Sequence, residues 1–442
     1  MIQITDKAHC CGCAACAQIC PRCSITMTAD PTDGFLYPEV DTATCIDCYL
    51  CERICPELHP YDEQKPLHAV AAVNTDDNVR MQSSSGGVFY YLAAMIIEKG
   101  GVVFGARFDA DWQVVIDYAE TVEGIRTFMG SKYVQARMGT SFHDASKFLK
   151  AGRKVLFTGT PCQISALHHY LRKDYPDLLT VDVACLGTPS PKAWRVYLDE
   201  LLSKGKTIST LRADRETREW RRLGISICPN SADGTTSLFM HHGASHYMKA
   251  FLARLTLRPA CYACPAKGGR SHADITIADF WGVQALMPQI DDDRGAGIAL
   301  INTSKGAEAL RTQTLCTYPV DYDMLLQYNP SIYRTATPHL RRAEFFGKIA
   351  QKESFVHITE AFTRPPFSLR LHICLSQIKT RLLRRLHIIP PAPDCAAAHH
   401  IPGAFPQNAR IVGINFRNKQ WGWKGYHVEI KVKGEKCEKE QK

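Results

Sequence analysis

The chain has 442 residues, which is too long for one ordinary domain and suits two or three. Apolar residues make up 45% and charged residues 22%, a composition that buries a full-sized core and excludes an intrinsically disordered protein. The net charge of +9 is confined to the tail: residues 364–442 hold 15 Lys and Arg against 5 Asp and Glu. We therefore expect a solvated or partner-facing tail and no nucleic-acid partner.

Cysteine is unusually frequent, with 19 residues, of which ten fall between Cys10 and Cys55. The N-terminus lacks the basic and apolar segments of a signal peptide. No uncharged apolar run of about 18 residues occurs, so no transmembrane segment is expected. These features predict a cytoplasmic protein whose thiols stay reduced and bind metal instead of forming disulfides.

The first segment, residues 1–60, contains two copies of one cysteine pattern, 35 residues apart. The copies are Cys10-x2-Cys13-x2-Cys16-x3-Cys20-Pro21 and Cys45-x2-Cys48-x2-Cys51-x3-Cys55-Pro56. This spacing is typical of ferredoxins with two 4Fe–4S clusters, in which the fourth Cys of each run ligates the other cluster. The predicted ligands are Cys10, Cys13, Cys16 and Cys55 for one cluster, and Cys45, Cys48, Cys51 and Cys20 for the other.

The alternative for these cysteines is zinc, which prefers Cys-x2-Cys pairs separated by a loop. Two full runs of four cysteines, each closed by Pro, fit that arrangement poorly. Cys11 and Cys23 are out of register with both runs, and we expect neither to be a ligand. Clusters of this kind carry single electrons at low potential and catalyse nothing alone, so substrate chemistry must lie in the remaining residues.

After a linker at 58–66, strands and helices alternate from about 67 to 360. Predicted strands cover 69–73, 102–108, 154–157, 178–184, 275–278 and 298–302, and predicted helices cover 88–99, 163–173 and 192–202. This alternation is typical of an α/β domain with a mainly parallel or mixed sheet, so the chain as a whole is expected to be α+β. The tail, 365–442, is predicted to hold a basic amphipathic helix at 367–389 and a Pro-rich linker.

Four later cysteines occupy positions where α/β domains carry functional groups. A Gly-Thr-Pro-Cys segment at 159–162 follows a strand and opens a helix, so Cys162 is predicted in the first turn, where the helix dipole favours a thiolate. Cys185 follows a strand, at the edge where such sheets bind ligands. With Cys261 and Cys264, these thiols suit a third iron–sulfur site, a zinc site, a nucleophile with a structural pair, or buried inert cysteines.

Six motifs, in this order along about residues 1–310, resemble the coenzyme F420 hydrogenase/dehydrogenase beta-subunit family. They are Ser-Ser-Ser-Gly-Gly at 83–87, Gly-Ser-Lys-Tyr at 130–133, Gly-Thr-Pro-Cys-Gln at 159–163, Asp-x2-Cys-x-Gly-x-Pro-Ser-Pro at 182–191, Cys-x2-Cys at 261–264 and Asp-Phe-Trp-Gly at 279–282. Members resemble one another in a ferredoxin module followed by a flavin-binding domain with its own 4Fe–4S cluster. The resemblance therefore implies bound FAD and a third 4Fe–4S cluster on Cys162, Cys185, Cys261 and Cys264.

The flavin site implied by the resemblance draws on two loops. Its predicted residues are Ser84, Ser85, Gly86 and Gly87 in one loop, and Ser131, Lys132 and Tyr133 in the other. A polar glycine loop between a strand and a helix has the amides to hold pyrophosphate. Lys132 offers a cation and Tyr133 an aromatic face, although a surface charge and a core aromatic are the simpler interpretations. No G-x-G-x-x-G follows a strand, so an ordinary Rossmann site is not supported.

One motif departs from the family pattern. Members carry Phe-Arg-x-Lys-x-x-Gly-Trp soon after the Ser-Pro helix, but residues 211–220 here are a loose remnant, and a clean copy stands at 416–423. The resulting hypothesis is an iron–sulfur flavoprotein oxidoreductase that passes electrons between a ferredoxin-like carrier or partner redox subunit and an organic substrate or deazaflavin-type coenzyme, through FAD. The alternative is a non-catalytic electron-transfer subunit that docks on a partner enzyme. Catalytic residues and the small-molecule substrate stay unknown at this stage.

Overall fold

The structure is a computed structural model that describes residues 1–202, 207–215, 223–230, 238–241 and 245–364. Residues 1–364 belong to one compact unit. The predicted tail helix, the Pro-rich linker and the motif copy at 416–423 lie outside the described residues, as does Trp220 of the loose remnant.

Strands and helices of the described residues alternate along most of the chain. The strands are β1 (Ile25–Ala29), β2 (Leu36–Val40), β3 (His68–Asn74), β4 (Val102–Phe108), β5 (Val114–Ala119), β6 (Val155–Gly159), β7 (Leu178–Val183), β8 (Thr207–Arg215), β9 (Leu223–Asn230), β10 (Leu238–His241), β11 (Ile275–Asp279), β12 (Gly297–Ile301) and β13 (Leu315–Pro319). The helices are α1 (Ala15–Ile19), α2 (Leu50–Arg53), α3 (Asp77–Gln82), α4 (Val88–Glu98), α5 (Val122–Arg126), α6 (Ser141–Lys150), α7 (Pro161–Leu171), α8 (Pro191–Leu201), α9 (His246–Leu252), α10 (Val283–Leu286), α11 (Ser304–Ala309), α12 (Tyr322–Tyr328), α13 (Arg342–Ala350) and α14 (Phe355–Thr363).

The central sheet has eight strands in the order β13-β3-β12-β11-β7-β6-β4-β5. Strands β4, β6, β7 and β11 are parallel neighbours where they pair, and β12 runs antiparallel to both β11 and β3. Five strands therefore share one direction, and the edge strands β5 and β13 are antiparallel to their neighbours. The chain is α+β with a large mixed sheet, which fits the predicted α/β domain. Two smaller antiparallel sheets hold β1-β2 and β10-β9-β8.

Local sequence accounts for the elements that were predicted. Strand β4 spans Val102–Phe108, as predicted, and its side chains alternate between the two faces of the sheet. Val102 and Phe104 pack with α6 and α7, whereas Val103 packs with α4. Helix α4 ends just before Gly100, whose φ of +70° is the left-handed conformation that glycine adopts readily after a helix.

Strands β5 and β13 were not predicted. Strand β13 buries only Leu315 along its five residues, so it lacks the apolar signal of a central strand. It pairs with β3 through backbone hydrogen bonds, which sequence patterns do not reveal. Edge strands of this kind are therefore the elements most easily missed.

Residues 1–60 pack directly against the domain that contains the central sheet. The side chains of Cys11, Cys13 and Ala15 belong to the same apolar cluster as α6 and α7. Asp33 is 3% exposed and accepts a hydrogen bond from the Arg342 guanidinium at 2.9 Å. None of the described helices is both long enough and apolar enough to cross a membrane.

Candidate iron–sulfur and flavin sites

Three of the segments that hold predicted site residues follow strands that run in one direction in the central sheet. The Ser-Gly loop at 83–87 comes after β3 and the short helix α3, Cys162 after β6, and Cys185 after β7. Asp279 is the last residue of β11. Because carboxyl ends of parallel strands meet at one edge of a sheet, the fold brings together segments that are far apart in sequence.

Four thiols from the two cysteine runs lie beside one another; we call Cys10, Cys13, Cys16 and Cys55 the inner group. Burial, followed by the charges of Cys10 and Cys55, raises the pKa of Cys16 to about 12. The pKa of Cys55 is also raised by burial, and Cys10 adds to that effect. A hydrogen bond with Cys11 lowers the pKa of Cys13, but burial and the nearby Cys16 and Cys55 outweigh it. Cys55 of the second run thus sits among cysteines of the first.

The remaining cysteines of the octet, Cys20, Cys45, Cys48 and Cys51, form the outer group. Cys20 and Cys51 pack in one apolar cluster with Ile25. Cys45 and Cys48 are part-exposed, and their neighbours in the run, Ile46 and Tyr49, are 59% and 52% exposed. The outer group therefore lies nearer to solvent than the inner group does.

The later cysteines, Cys162, Cys185, Cys261 and Cys264, also lie close together and are called the edge group. Burial raises the pKa of Cys185 to about 12; Lys267 opposes the rise, and Cys261 and Cys162 add to it. Burial raises the pKa of Cys264, with Cys162 as the next contribution. The backbone N–H of Thr188 donates to Cys261 Sγ at 3.3 Å. Three of these thiols, on Cys185, Cys261 and Cys264, accept backbone hydrogen bonds, and such surroundings suit the ligands of an iron–sulfur cluster.

The arrangement of thiols in the edge group and in the octet differs from that of a site for a single metal ion. Within the part of the chain that the structure describes, no three His, Cys, Asp or Glu side chains converge to hold a single metal ion. In a 4Fe–4S cluster each of the four cysteine thiolates binds a different iron. The four thiolates therefore need not converge on one point.

The surroundings of Cys162 correct one sequence-based expectation. Helix α7 begins at Pro161, and the Thr160 N–H donates to Gln163 Oε1 at 2.8 Å, so the predicted helix start is confirmed. The expectation that this position favours a thiolate is wrong. The interaction with Cys11, followed by burial, raises the pKa of Cys162 well above its ordinary value, and this outweighs the helix dipole.

Cys11 is a residue whose place the sequence did not reveal. Its buried thiol interacts with Cys13 of the inner group and with Cys162 of the edge group. Glu57, whose pKa burial raises to about 7, also hydrogen-bonds to Cys11. The out-of-register Cys11 therefore lies between two groups of thiols. The one signal in the sequence was the adjacency of Cys10 and Cys11.

Arg258 is a second residue that sequence reasoning missed. It is fully buried, and it precedes the short 3₁₀ helix Pro259–Ala263 that carries Cys261. Its guanidinium donates to the backbone oxygen of Cys10 at 2.6 Å and contacts Cys10 Sγ at 3.5 Å. No local pattern around position 258 indicates a contact with a residue 248 positions earlier.

The two predicted flavin loops meet at their serines. Ser84 Oγ and Ser131 Oγ are 3.2 Å apart, and Ser85 Oγ donates to the backbone oxygen of Ala296 at 2.7 Å. Gly86 is required by packing, since a Cβ there would lie 2.0 Å from the backbone oxygen of Ala72. Hydroxyls from two loops at the ligand-binding edge suit a polar ligand such as a pyrophosphate.

Lys132 and Tyr133 contact neighbouring loop and core residues. The Lys132 ammonium donates to the backbone oxygens of Thr127 at 3.0 Å and Met129 at 2.9 Å. The Tyr133 ring packs 5.3 Å from the ring of Phe251, and burial raises its pKa. These contacts are those of a loop-stabilising cation and a core aromatic.

Comparison with known proteins identifies two segments of the chain. Residues 152–317 match the family model for the C-terminal part of the coenzyme F420 hydrogenase/dehydrogenase beta subunit. Residues 40–83 match the 4Fe–4S single cluster domain of ferredoxin I, so that match includes the second cysteine run and not the first. No curated protein matches the chain.

One similar solved structure is a chain of the F420-reducing NiFe hydrogenase complex from Methanosarcina barkeri, studied by xenon derivatization. It is 18% identical, and the similarity covers 66% of this chain and 93% of that chain with a TM-score of 0.42. The predicted resemblance is confirmed by the two family models. Residues 152–317 are thus similar to the C-terminal part of the coenzyme F420 hydrogenase/dehydrogenase beta subunit, and residues 40–83 to a 4Fe–4S ferredoxin domain.

Proposed function

We propose that this protein is an iron–sulfur flavoprotein oxidoreductase. It passes electrons between a ferredoxin-like carrier and an organic substrate or deazaflavin-type coenzyme, through FAD. Its modules are the ferredoxin-type segment 1–60 and the flavin-binding domain 67–360, followed by the basic tail. Reduced thiols suit a cytoplasmic location.

The observation that carries this proposal is the continuity of the three thiol groups. The outer group adjoins the inner group, because Cys16 and Cys51 lie in one apolar cluster. The inner group adjoins the edge group, because Cys11 touches both Cys13 and Cys162. Each group holds four thiols, the number that a 4Fe–4S cluster takes. Three clusters in a row would supply a path for single electrons.

The flavin completes the path. When bound, FAD supplies the coupling between two-electron and one-electron chemistry. Ser84 and Ser131, 3.2 Å apart, would hold its polar part, at the same sheet edge that carries the edge group. Lys132 would hold the second loop in place, since its ammonium donates to backbone oxygens of the preceding residues, and Tyr133 would anchor that loop by packing against Phe251.

The alternative is a non-catalytic electron-transfer subunit. The matched family model describes the beta subunit of a larger enzyme, so this chain's path would then end at a partner subunit. In that case the basic residues of 364–442 would serve in docking.

The deciding experiment is anaerobic purification of the full chain alone, with iron, acid-labile sulfide and flavin measured per chain. About 12 iron atoms and one flavin are expected from three 4Fe–4S clusters and bound FAD. About 8 iron atoms without flavin would contradict the enzyme and favour the electron-carrier alternative. A Ser84→Ala, Ser131→Ala double variant is expected to lose flavin and keep its iron, whereas an exposed Thr44→Ala variant is expected to keep both.

A further inference from the structure

Arg258 is a buried cation without a carboxylate partner among the described residues. It is 0% exposed, and none of the salt bridges within the described ranges includes it. Burying an uncompensated charge is costly, so a buried guanidinium needs dipoles or negative charge around it. What surrounds Arg258 therefore indicates what its charge is for.

Nearly all N–H groups of the guanidinium donate hydrogen bonds to the cysteine runs and to residues around them. Nε donates to the backbone oxygen of Cys10 at 2.6 Å, and Nη2 donates to that of Leu36 at 2.9 Å. Nη1 donates to Gln135 Oε1 at 2.9 Å, and the Gln135 amide in turn donates to the backbone oxygen of Cys11 at 2.9 Å. These bonds fix the plane of the guanidinium.

Two aromatic rings and a glycine close the site. The guanidinium carbon lies 4.3 Å from the ring centroid of Tyr37 and 5.2 Å from that of Phe35, distances typical of cation–π contacts. Gly12, at a φ of +73°, leaves room for the charge, since a Cβ there would lie 2.6 Å from Nη1. The segment between Cys10 and Cys13 is thus shaped around Arg258.

Arg258 contacts two groups of thiols, one through its guanidinium and the other through its backbone. Nη2 reaches Cys10 Sγ of the inner group at 3.5 Å. The backbone oxygen of Arg258 accepts from the N–H of Cys261, in the edge group, at 3.0 Å. The negative charge that would compensate the guanidinium is therefore chiefly that of the sulfur ligand Cys10 in the inner group, together with the nearby Glu57 carboxylate.

On the basis of the proposed function, we propose that Arg258 is a positioning residue that raises the reduction potential of the cluster held by the inner group and aligns that cluster with the edge group. A reduced cluster carries one more negative charge than an oxidised one, and a buried cation beside its sulfur stabilises the reduced form. Net charge and hydrogen bonds to sulfur are the means by which proteins tune such potentials. The cation at the junction would make the inner cluster the preferred resting place of an electron between the outer and edge groups.

The test compares Arg258→Gln, Arg258→Lys and the native full chain in redox titrations followed by electron paramagnetic resonance. Arg258→Gln is expected to keep its iron and to shift the midpoint potential of one cluster to more negative values. Arg258→Lys keeps a charge but cannot reach all four partners, so a smaller shift in the same direction is expected. The magnetic coupling between neighbouring reduced clusters is expected to weaken in both variants.

The matched control is Arg80→Gln. Arg80 is also buried, at 5% exposed, and it pairs with Asp292 and with the backbone oxygen of Gly295, so its loss destabilises the fold without touching a cysteine. All cluster potentials are expected to stay unchanged in this control. Unchanged potentials in both Arg258 variants, at native iron content, would overturn the inference. Absence of iron from the native chain would instead overturn the proposed function.

Discussion

The two cysteine runs carry the same spacing but lie in different surroundings. The first run packs against α6 and α7, with Cys13 and Cys16 buried and Arg258 beside Cys10. The second run presents Ile46 and Tyr49 to solvent. The two runs are equivalent in sequence but differ in the folded chain. The first faces the central sheet, and the second faces solvent.

This difference gives the proposed electron path a direction in space. Single electrons would enter or leave at the outer group, where a carrier can approach, and reach the edge group through the inner one. Burial of the inner group would also tie the proposed cluster there to the stability of the whole unit, while the outer group is less constrained. The comparison leads to four predictions, in order of decreasing effect.

The largest effect is expected for Cys16→Ser compared with Cys48→Ser. Each should lose about four iron atoms per chain. Cys16 lies in the apolar cluster shared by both groups, so its variant should also unfold at a much lower temperature, whereas the part-exposed Cys48 variant should stay folded. Iron analysis with thermal unfolding checks this, and equal melting temperatures would remove the inner–outer distinction.

Asp33→Ala tests how the ferredoxin-type segment is held on the sheet. The substitution leaves the Arg342 guanidinium without the carboxylate that it meets at 2.9 Å, so we expect a loss of about 3–5 kcal/mol in the free energy of unfolding. Glu39→Ala, on the exposed side of the same hairpin, should cost less than about 0.5 kcal/mol. Denaturant unfolding measures both, and similar values for the two variants would contradict the prediction.

Low pH is expected to lower the free energy of unfolding through His168. This residue lies on α7, the helix that also carries Cys162. Burial lowers the pKa of His168 from 6.5 to about 4. Between these pH values the unfolded chain binds the proton and the folded chain does not, so stability falls as pH drops from about 6.5 to about 4. The loss approaches about 3 kcal/mol.

His168→Gln is expected to flatten this part of the pH profile of unfolding. Asp274, His272 and Lys305 also act on His168, and they are unchanged in the variant. An unaltered acid slope in His168→Gln would show that another group is responsible.

The smallest structural effect is expected for the Ile46→Ser, Tyr49→Ser double variant. Its main effect is expected on the rate of reduction. Both side chains are exposed beside the outer cysteines, so iron content and melting temperature should be native. Reduction by a ferredoxin should slow about tenfold, as loss of one good interface contact predicts. Leu340→Ser, at a side chain that is 92% exposed elsewhere, serves as the control. Stopped-flow reduction at native speed would contradict docking at the outer group.

The class of the N-terminal segment and most of the central strands could be predicted from the sequence alone. Cluster ligands are spaced by local backbone geometry, so the runs starting at Cys10 and Cys45 indicate their cofactor without a fold. Strands such as β4 and helices such as α4 follow from local apolar periodicity and glycine stops. The match over residues 152–317 includes four of the six family motifs, those at 159–163, 182–191, 261–264 and 279–282.

Which cysteine run is buried, and what lies between the thiol groups, became known from the folded chain. Cys11 meets Cys162 and Arg258 meets Cys10 because the strand ends of one sheet gather distant segments, and no local pattern encodes such pairs. The environment of Cys162 shows the same limit. The helix start was predictable, but the contact with Cys11 and the burial that together raise the pKa of Cys162 depend on the segments packed around it.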